Sequence, residues 1–185
     1  MTKNRKTRLV APLLALGIGL SVPSIALALN VAVGFDQSTV GQEFNVGANF
    51  ALPDADVRFM RFRSISNTWA YGEAEITDDG EANGFTPKEL QMANITVRMT
   101  PSSTATSAKF KYADCGGSVN LSVNGQLSNV QHFSNVPSSL GGTTVSVSEV
   151  SVGGCRVGVV EMLGNVDVLR FGGQELFVDD ITLDN

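Results

Sequence analysis

Apolar residues recur at every second position in short runs along most of this chain, and clusters of Gly, Asn, Ser, Asp and Pro separate the runs. Such alternation indicates strands with one buried face, and the clusters are typical of turns. The pattern predicts an all-β fold, a two-layer antiparallel β-sandwich of jelly-roll type with about eleven short strands. The runs that supply these strands are 30–36, 44–52, 57–65, 68–77, 95–100, 108–113, 119–123, 126–133, 143–152, 156–162, 166–171 and 175–183.

Two segments allow more specific predictions. Asn124-Gly125 is a residue pair that favours a type I′ turn, so 126–133 is expected to fold back on 119–123 as a hairpin. At most one short helical turn is predicted, and the segment 87–92 is the place expected for it.

The first 28 residues have the order of an export signal. Residues 1–8 carry four basic side chains and no acid, an apolar stretch follows, and 26–28 is a small-x-small tripeptide that signal peptidase accepts. We therefore expect a signal peptide over 1–28, a secreted or periplasmic location, and a single β-sandwich domain over 29–185. The alternative is a leader that stays uncleaved and anchors the protein in a membrane, since residues 9–29 are long enough to span a bilayer.

The net charge of the predicted domain limits the classes of partner that we expect. Residues 29–185 carry nine Lys and Arg against eighteen Asp and Glu, a net charge of −9. An acidic surface repels phosphate backbones, so nucleic acid is not an expected partner. We expect instead a glycan or another cell-surface polymer, with membrane contact only through an uncleaved leader.

The two cysteines, Cys115 and Cys155, lie 40 residues apart in a domain expected outside the cytoplasm. Oxidation is the default in that environment, so a disulfide is predicted. Two cysteines and the single histidine, His132, do not make a zinc site. His132 is also the only histidine available for catalysis, and no Gly-x-Ser-x-Gly motif is present, so we expect no enzyme; a Ser-His-Asp arrangement assembled in space stays open.

Aromatic residues mark a candidate binding face. Trp69 and Tyr71 alternate with small residues in the predicted strand 68–77, and they share their face with Glu73 and Glu75. Sugar rings stack on flat aromatics, and carboxylates accept hydroxyl hydrogens. These four side chains are the predicted ligand-binding residues, and the alternative is a strand turned over with Trp69 in the core.

Arg58, Arg61 and Arg63 place three of the nine cations within six residues. Guanidinium groups bind carboxylates through two parallel hydrogen bonds, so this patch is a candidate anion site. Pairing with acids of the same chain is the alternative.

The segment 171–181, FGGQELFVDDI, resembles the closing strand of a group of exported bacterial β-sandwich proteins. Residues 34–36 (GFD), 116–125 (GGSVNLSVNG) and 141–142 (GG) fit the same pattern. The resemblance implies a jelly-roll sandwich similar to galactose-binding-like domains and carbohydrate-binding modules, and it implies no catalytic residues. The chain departs from that group at Phe177, where tryptophan is common, and in its cysteine pair.

Acids near the two ends of the predicted domain form a candidate metal site. By alternation Asp179 falls between the core residues Phe177 and Ile181, and a buried carboxylate is costly unless it is hydrogen-bonded or bound to a cation. In sandwiches of this type the first and last strands are neighbours, so we expect Asp36 near Asp179 and Asp180. Clustered carboxylate oxygens suit a structural Ca²⁺. The alternative is that these acids cap turns and accept backbone N–H groups.

Together these observations predict a secreted or periplasmic, non-catalytic binding module for carbohydrate. The rival is a structural or adhesive component of the cell surface or matrix without a small ligand. Exposure of Trp69 and Tyr71 in a concave patch favours the first, and burial of that pair beside long unpaired edge strands favours the second.

Overall fold

The computed structural model describes residues 30–79 and 87–185, so the predicted signal peptide lies outside the described residues. This part of the chain forms fourteen strands, all in antiparallel pairs, and a 3-10 turn at Phe133–Asn135, which confirms the all-β sandwich. None of its helices is long and apolar enough to cross a membrane. The strands are β1 (Asn30–Val33), β2 (Glu43–Asn45), β3 (Asn49–Leu52), β4 (Ala55–Arg63), β5 (Trp69–Ala70), β6 (Glu73–Thr77), β7 (Glu89–Ala93), β8 (Ile95–Pro101), β9 (Ala105–Val123), β10 (Gln126–Val130), β11 (Ser139–Leu140), β12 (Thr143–Val152), β13 (Cys155–Val166) and β14 (Leu169–Asp184).

Two long strands, β9 and β14, take part in both layers. They pair with each other along most of their lengths. On its other side β14 pairs in turn with β8, β7 and β1, while β9 pairs with β13 through its first half and with β10 through its second. The first layer therefore contains β10, the second half of β9, the first half of β14, β8, β4 and β3. The second layer contains β11, β12, β13, the other halves of the long strands, β1, β7, β6 and β2.

Glycines let the two long strands bend between the layers. The register of the β9–β14 pair shifts between Gly173 and Leu176, which marks a bulge. Opposite this point Gly117 has φ +78°, and a Cβ there would come within 2.6 Å of the Gln174 side chain. Strands that pass from one layer to the other at such a bend form the corners of a sandwich.

The hydrophobic core lies between the two layers. Phe44 of β2 stacks on Phe59 of β4 with ring centroids 4.6 Å apart, and Phe110 of β9 stacks on Phe171 of β14 at 4.8 Å. Each pair joins one layer to the other. Because a fully buried Phe side chain contributes about 1.5 to 3 kcal/mol of transfer free energy, these contacts are a main source of the attraction between the layers.

Some local predictions are confirmed and others are wrong. Asn124 and Gly125 have φ of 50° and 86°, and β10 pairs back on the end of β9, as the type I′ turn requires. The helical turn expected at 87–92 is wrong, because Glu89–Ala93 is the strand β7, hydrogen-bonded between β6 and β14. The described residues form fourteen strands rather than about eleven, and β9 and β14 are long because each joins two segments that the sequence predicts as separate strands.

The predicted disulfide between Cys115 and Cys155 is confirmed. Arg156 of β13 pairs with Asp114 of β9, so the bonded cysteines extend that ladder by one residue. The bond therefore fixes the point where β9 turns from the second layer toward the first.

Candidate functional site

The hairpin formed by β4 and β5 extends β4 beyond its pairing with β8. β4 pairs with β8 up to Arg61, and beyond that point Arg63 pairs with Trp69 of β5. The backbone N–H of Ile65, in the loop, donates to the hydroxyl of Ser118 on β9 at 3.4 Å. The loop is therefore fastened to the outer face of the first layer, across the sheet from β4.

Trp69 and Tyr71 lie at the surface of this hairpin, with exposed fractions of 48 % and 72 %. The guanidinium carbon of Arg61 lies 4.3 Å from the centre of the Trp69 ring, and that of Arg63 lies 5.5 Å from it. Arg61 also donates a hydrogen bond of 3.3 Å to the Tyr71 hydroxyl. The indole is thus held by a cation–π contact, and about half of its surface remains open to solvent.

An open depression of about 60 Å³ lies beside Trp69 on the outer face of the first layer. We call it the Trp69 groove. Its floor is polar, because the side-chain amide nitrogen of Asn120 donates to the Thr96 hydroxyl at 3.3 Å. Asn120 is 2 % exposed, and within the described ranges its side-chain oxygen accepts no hydrogen bond. The groove is lined by Met60, Arg61, Arg63, Trp69, Thr96, Asn120, Leu127 and Arg170.

Three arginines lie side by side across this face. Arg170 of β14 is directly opposite Arg98 of β8, and Arg98 is directly opposite Arg58 of β4. We call these three residues the arginine row. Their flanking residues Phe171 and Phe59 are buried in the core, so by alternation the arginine row lies on the outer face.

Within residues 30–79 and 87–185, the arginines at this face have no carboxylate partner. Among the described residues, the ion pairs within 4.0 Å are Lys111 with Asp180, His132 with Asp114, and Arg156 with Glu149. The described residues therefore do not support the alternative interpretation, in which acids of the same chain pair with Arg58, Arg61 and Arg63. The row and the hairpin together hold five of the nine cations of 29–185, all of them arginine: Arg58, Arg61, Arg63, Arg98 and Arg170.

Glu73 and Glu75 do not line the Trp69 groove. The predicted strand 68–77 is split into β5 and β6 at Gly72, where a Cβ would lie 1.7 Å from the carbonyl oxygen of Ala93. Glu73 is exposed and Glu75 is half-buried, as expected for the solvent face, but both belong to β6 in the second layer. The structure therefore separates the two predicted acids from the groove beside Trp69.

The acids predicted to bind calcium are placed near the β1–β14 ladder, and the expected pairing of these two strands is confirmed. Asp36 is exposed beyond the end of β1, while Asp179 is buried. Asp180 forms an ion pair of 2.6 Å with Lys111, and this contact raises the pKa of Lys111. Residues 30–79 and 87–185 contain no group of three or more His, Cys, Asp or Glu placed to hold a metal ion. Calcium binding stays a prediction.

A polar cluster that the sequence did not predict lies beside the disulfide. Burial raises the pKa of Asp114, while a 2.8 Å contact with His132 opposes that rise. Burial also acts to raise the pKa of Glu149, but hydrogen bonds from Tyr112, Arg156 and the Ser134 side chain outweigh it and hold that pKa below its ordinary value.

The cluster does not form a triad within the described residues. The hydroxyl of Ser134 contacts Glu149, whereas His132 contacts Asp114. A Ser-His-Asp triad requires the serine hydroxyl to reach the imidazole.

Comparison of this chain with protein-family models, with curated proteins and with solved structures gave no match. The resemblance to exported bacterial β-sandwich proteins therefore stays a prediction. The function has to be argued from the site itself.

Proposed function

We propose that this protein is an exported, non-catalytic carbohydrate-binding module and that the Trp69 groove is its site. The observation that carries the proposal is the half-exposed indole of Trp69, held in place by Arg61 at the rim of a concave surface. An exposed tryptophan next to a depression offers an apolar face on which the C–H face of a sugar ring stacks.

The polar floor of the groove supports the same ligand class. Asn120 and Thr96 line the groove together with Trp69, and the side-chain oxygen of Asn120 is a buried acceptor that lacks a donor in the described part of the chain. A buried acceptor without a donor costs free energy, and a sugar hydroxyl is a suitable donor. An aromatic rim and a floor of hydrogen-bonding groups match the two kinds of surface that a sugar presents.

A glycan array probed with the purified protein tests this function. We expect binding to a subset of glycans, and we expect Trp69→Ala to abolish it while the protein stays folded, with only a small fall in melting temperature from the lost cation–π contact, because the side chain is half-exposed. The matched control is Ile65→Ala, which removes another exposed apolar side chain from the same hairpin. Absence of glycan binding, or binding that survives Trp69→Ala, would overturn the proposal.

The rival, a structural or adhesive component, has one observation in its favour. Within the described residues β11 pairs only with the first two residues of β12, and the N–H of Val145 donates to the carbonyl of Ser138, so the edge of β12 has no strand partner from Ser146 to Val152. Val150 on that strand is 64 % exposed. Open edge strands pair with other chains, so assembly that grows with concentration and is abolished by Val150→Lys in analytical ultracentrifugation would support this function.

A further inference from the structure

We infer that the sugar bound in the Trp69 groove is acidic, a uronic acid residue whose carboxylate is held by the arginine row. This inference rests on the proposed function and specifies its ligand class. It is carried by the register of β4, β8 and β14, which sets Arg58, Arg98 and Arg170 directly opposite one another on one face.

The arginine row is unfavourable in the protein by itself. Neighbouring strands lie about 4.8 Å apart, and like charges directly opposite each other destabilise a sheet. Residues 29–185 contain eighteen acids, yet within the described ranges no carboxylate lies within 4.0 Å of Arg58, Arg98 or Arg170. An anionic ligand would remove this repulsion.

The kind of cation favours a carboxylate. All five cations at this face are arginine, while the lysines of the described residues lie elsewhere: Lys88, Lys109 and Lys111. The planar guanidinium matches a carboxylate in a two-point hydrogen bond, which an ammonium does not. Arg170 is the member of the arginine row that lines the same groove as Trp69, so a single ligand residue can stack on the indole and present its carboxylate to Arg170, with Arg98 directly beside it.

The charge of the rest of the protein limits how a polyanion binds. With a net charge of −9 over 29–185, the surface outside this face repels a long phosphate backbone. The attraction is therefore confined to the few sugar residues that contact the groove, and their apolar ring faces add the stacking that phosphates do not offer.

Comparing polygalacturonate with its fully methyl-esterified form separates the effect of the carboxylate charge on binding from the effect of the sugar ring. Both polymers have the same ring, and only the free acid carries a carboxylate. We expect the purified protein to bind the free acid at least about tenfold more tightly in isothermal titration calorimetry, and we expect that preference to decrease as salt is raised.

Charge-removing variants locate the carboxylate. Arg98→Gln and Arg170→Gln are each expected to weaken binding of the free acid about tenfold, while the melting temperature stays the same or rises because like-charge repulsion is relieved. Lys109→Gln is the matched control, since it removes one positive charge from an exposed position in the other half of β9. It is expected to leave the affinity unchanged.

The outcomes distinguish this inference from the proposed function. Equal binding of the acid and its ester overturns the acidic ligand and leaves carbohydrate binding intact. Equal loss in Lys109→Gln and Arg98→Gln, or equal binding of dextran sulfate or single-stranded DNA, shows a general polyanion effect and overturns it as well. Absence of binding to every glycan tested overturns both proposals.

Discussion

Arg61 lies over Trp69, with its guanidinium carbon 4.3 Å from the centre of the indole, and it also bonds to the hydroxyl of Tyr71. Because Trp69 is the only tryptophan of the chain, tryptophan fluorescence reports on the surroundings of this one ring. We expect Arg61→Gln to increase quenching of that fluorescence by acrylamide, since the covered face of the indole becomes accessible. The free energy of unfolding should fall by no more than about 1 kcal/mol, as is usual for an exposed cation–π contact.

Arg58→Gln is the control for this prediction, because Arg58 lies on the same strand and makes no contact with the indole. Unchanged quenching in Arg61→Gln would show that the cation–π contact does not cover the ring in solution.

The disulfide should be a large contributor to stability. Joining residues 40 apart restricts the unfolded chain, so replacing both Cys115 and Cys155 by alanine is expected to lower the free energy of unfolding by about 3 to 4 kcal/mol. Urea unfolding of the wild type and the double variant measures the difference. Two free thiols found by mass spectrometry in the wild-type protein from its native compartment would contradict the bond itself.

Because of Glu149, the free energy of unfolding should depend on pH in the acidic range. A carboxyl whose pKa is lowered on folding stabilises the protein above its unfolded pKa, and this contribution is lost as the pH falls through the lower folded value. Tyr112→Phe removes one of the hydrogen bonds that lower this pKa, so it should cost about 1.5 to 3 kcal/mol at neutral pH. The difference from wild type in urea unfolding should shrink as the pH falls below about 4.

A difference that stays constant from pH 7 to pH 3 would mean that Tyr112 acts through packing and not through the charge of Glu149.

The side chain of Asn124 links three turns. Its contribution to the free energy of unfolding can be divided into a hydrogen-bonding part and a backbone part. Its side chain accepts from the backbone of Asp167 and Val168 and donates to the carbonyls of Gly141 and Asn165. Asn124→Gly keeps the positive φ of 50° and should cost about 1 to 2 kcal/mol for the lost hydrogen bonds. Asn124→Ala loses the same bonds and adds about 1 kcal/mol or more of backbone strain. Equal unfolding midpoints for the two variants would exclude the strain.

Calcium binding by Asp36, Asp179 and Asp180 is tested by melting the protein in chelator and then in millimolar calcium. A site that binds only the folded state raises stability by about 2.7 kcal/mol at a hundredfold excess over Kd. Asp180→Asn, which also removes the partner of Lys111, should abolish the rise. A wild-type midpoint that calcium does not change contradicts the prediction.

Local features of the fold were predictable from the sequence because they depend on neighbouring residues only. Asn124-Gly125 needs no other part of the chain to prefer positive φ, and the hairpin is where the sequence places it. The role of glycines within long strands is harder to predict. Gly116-Gly117 has the composition of a turn between two strands, but here it is a bend within one strand. Whether a strand continues beyond such a bend depends on a partner strand that lies far away in the sequence.

The arginine row was not predictable for the same reason. Arg58, Arg98 and Arg170 each alternate with apolar residues, so their outward orientation can be inferred from period two. Their adjacency depends on the register of three strands, which no local pattern determines. The sequence identified Trp69, Arg61 and Arg63 as candidate binding residues. It also grouped Trp69 with Glu73 and Glu75, because the break at Gly72 that separates them depends on the carbonyl of Ala93, which lies far away in the sequence.

The central position of β14 has a consequence for synthesis on the ribosome. It is the last of the described strands to be translated, yet β1, β7, β8 and β9 all hydrogen-bond to it. A nascent chain that ends before β14 lacks the middle strand of both layers, so neither layer can close while translation of the described residues continues. The two layers can therefore be completed only once β14 has been synthesised, and until then the apolar strands that precede it are available to chaperones.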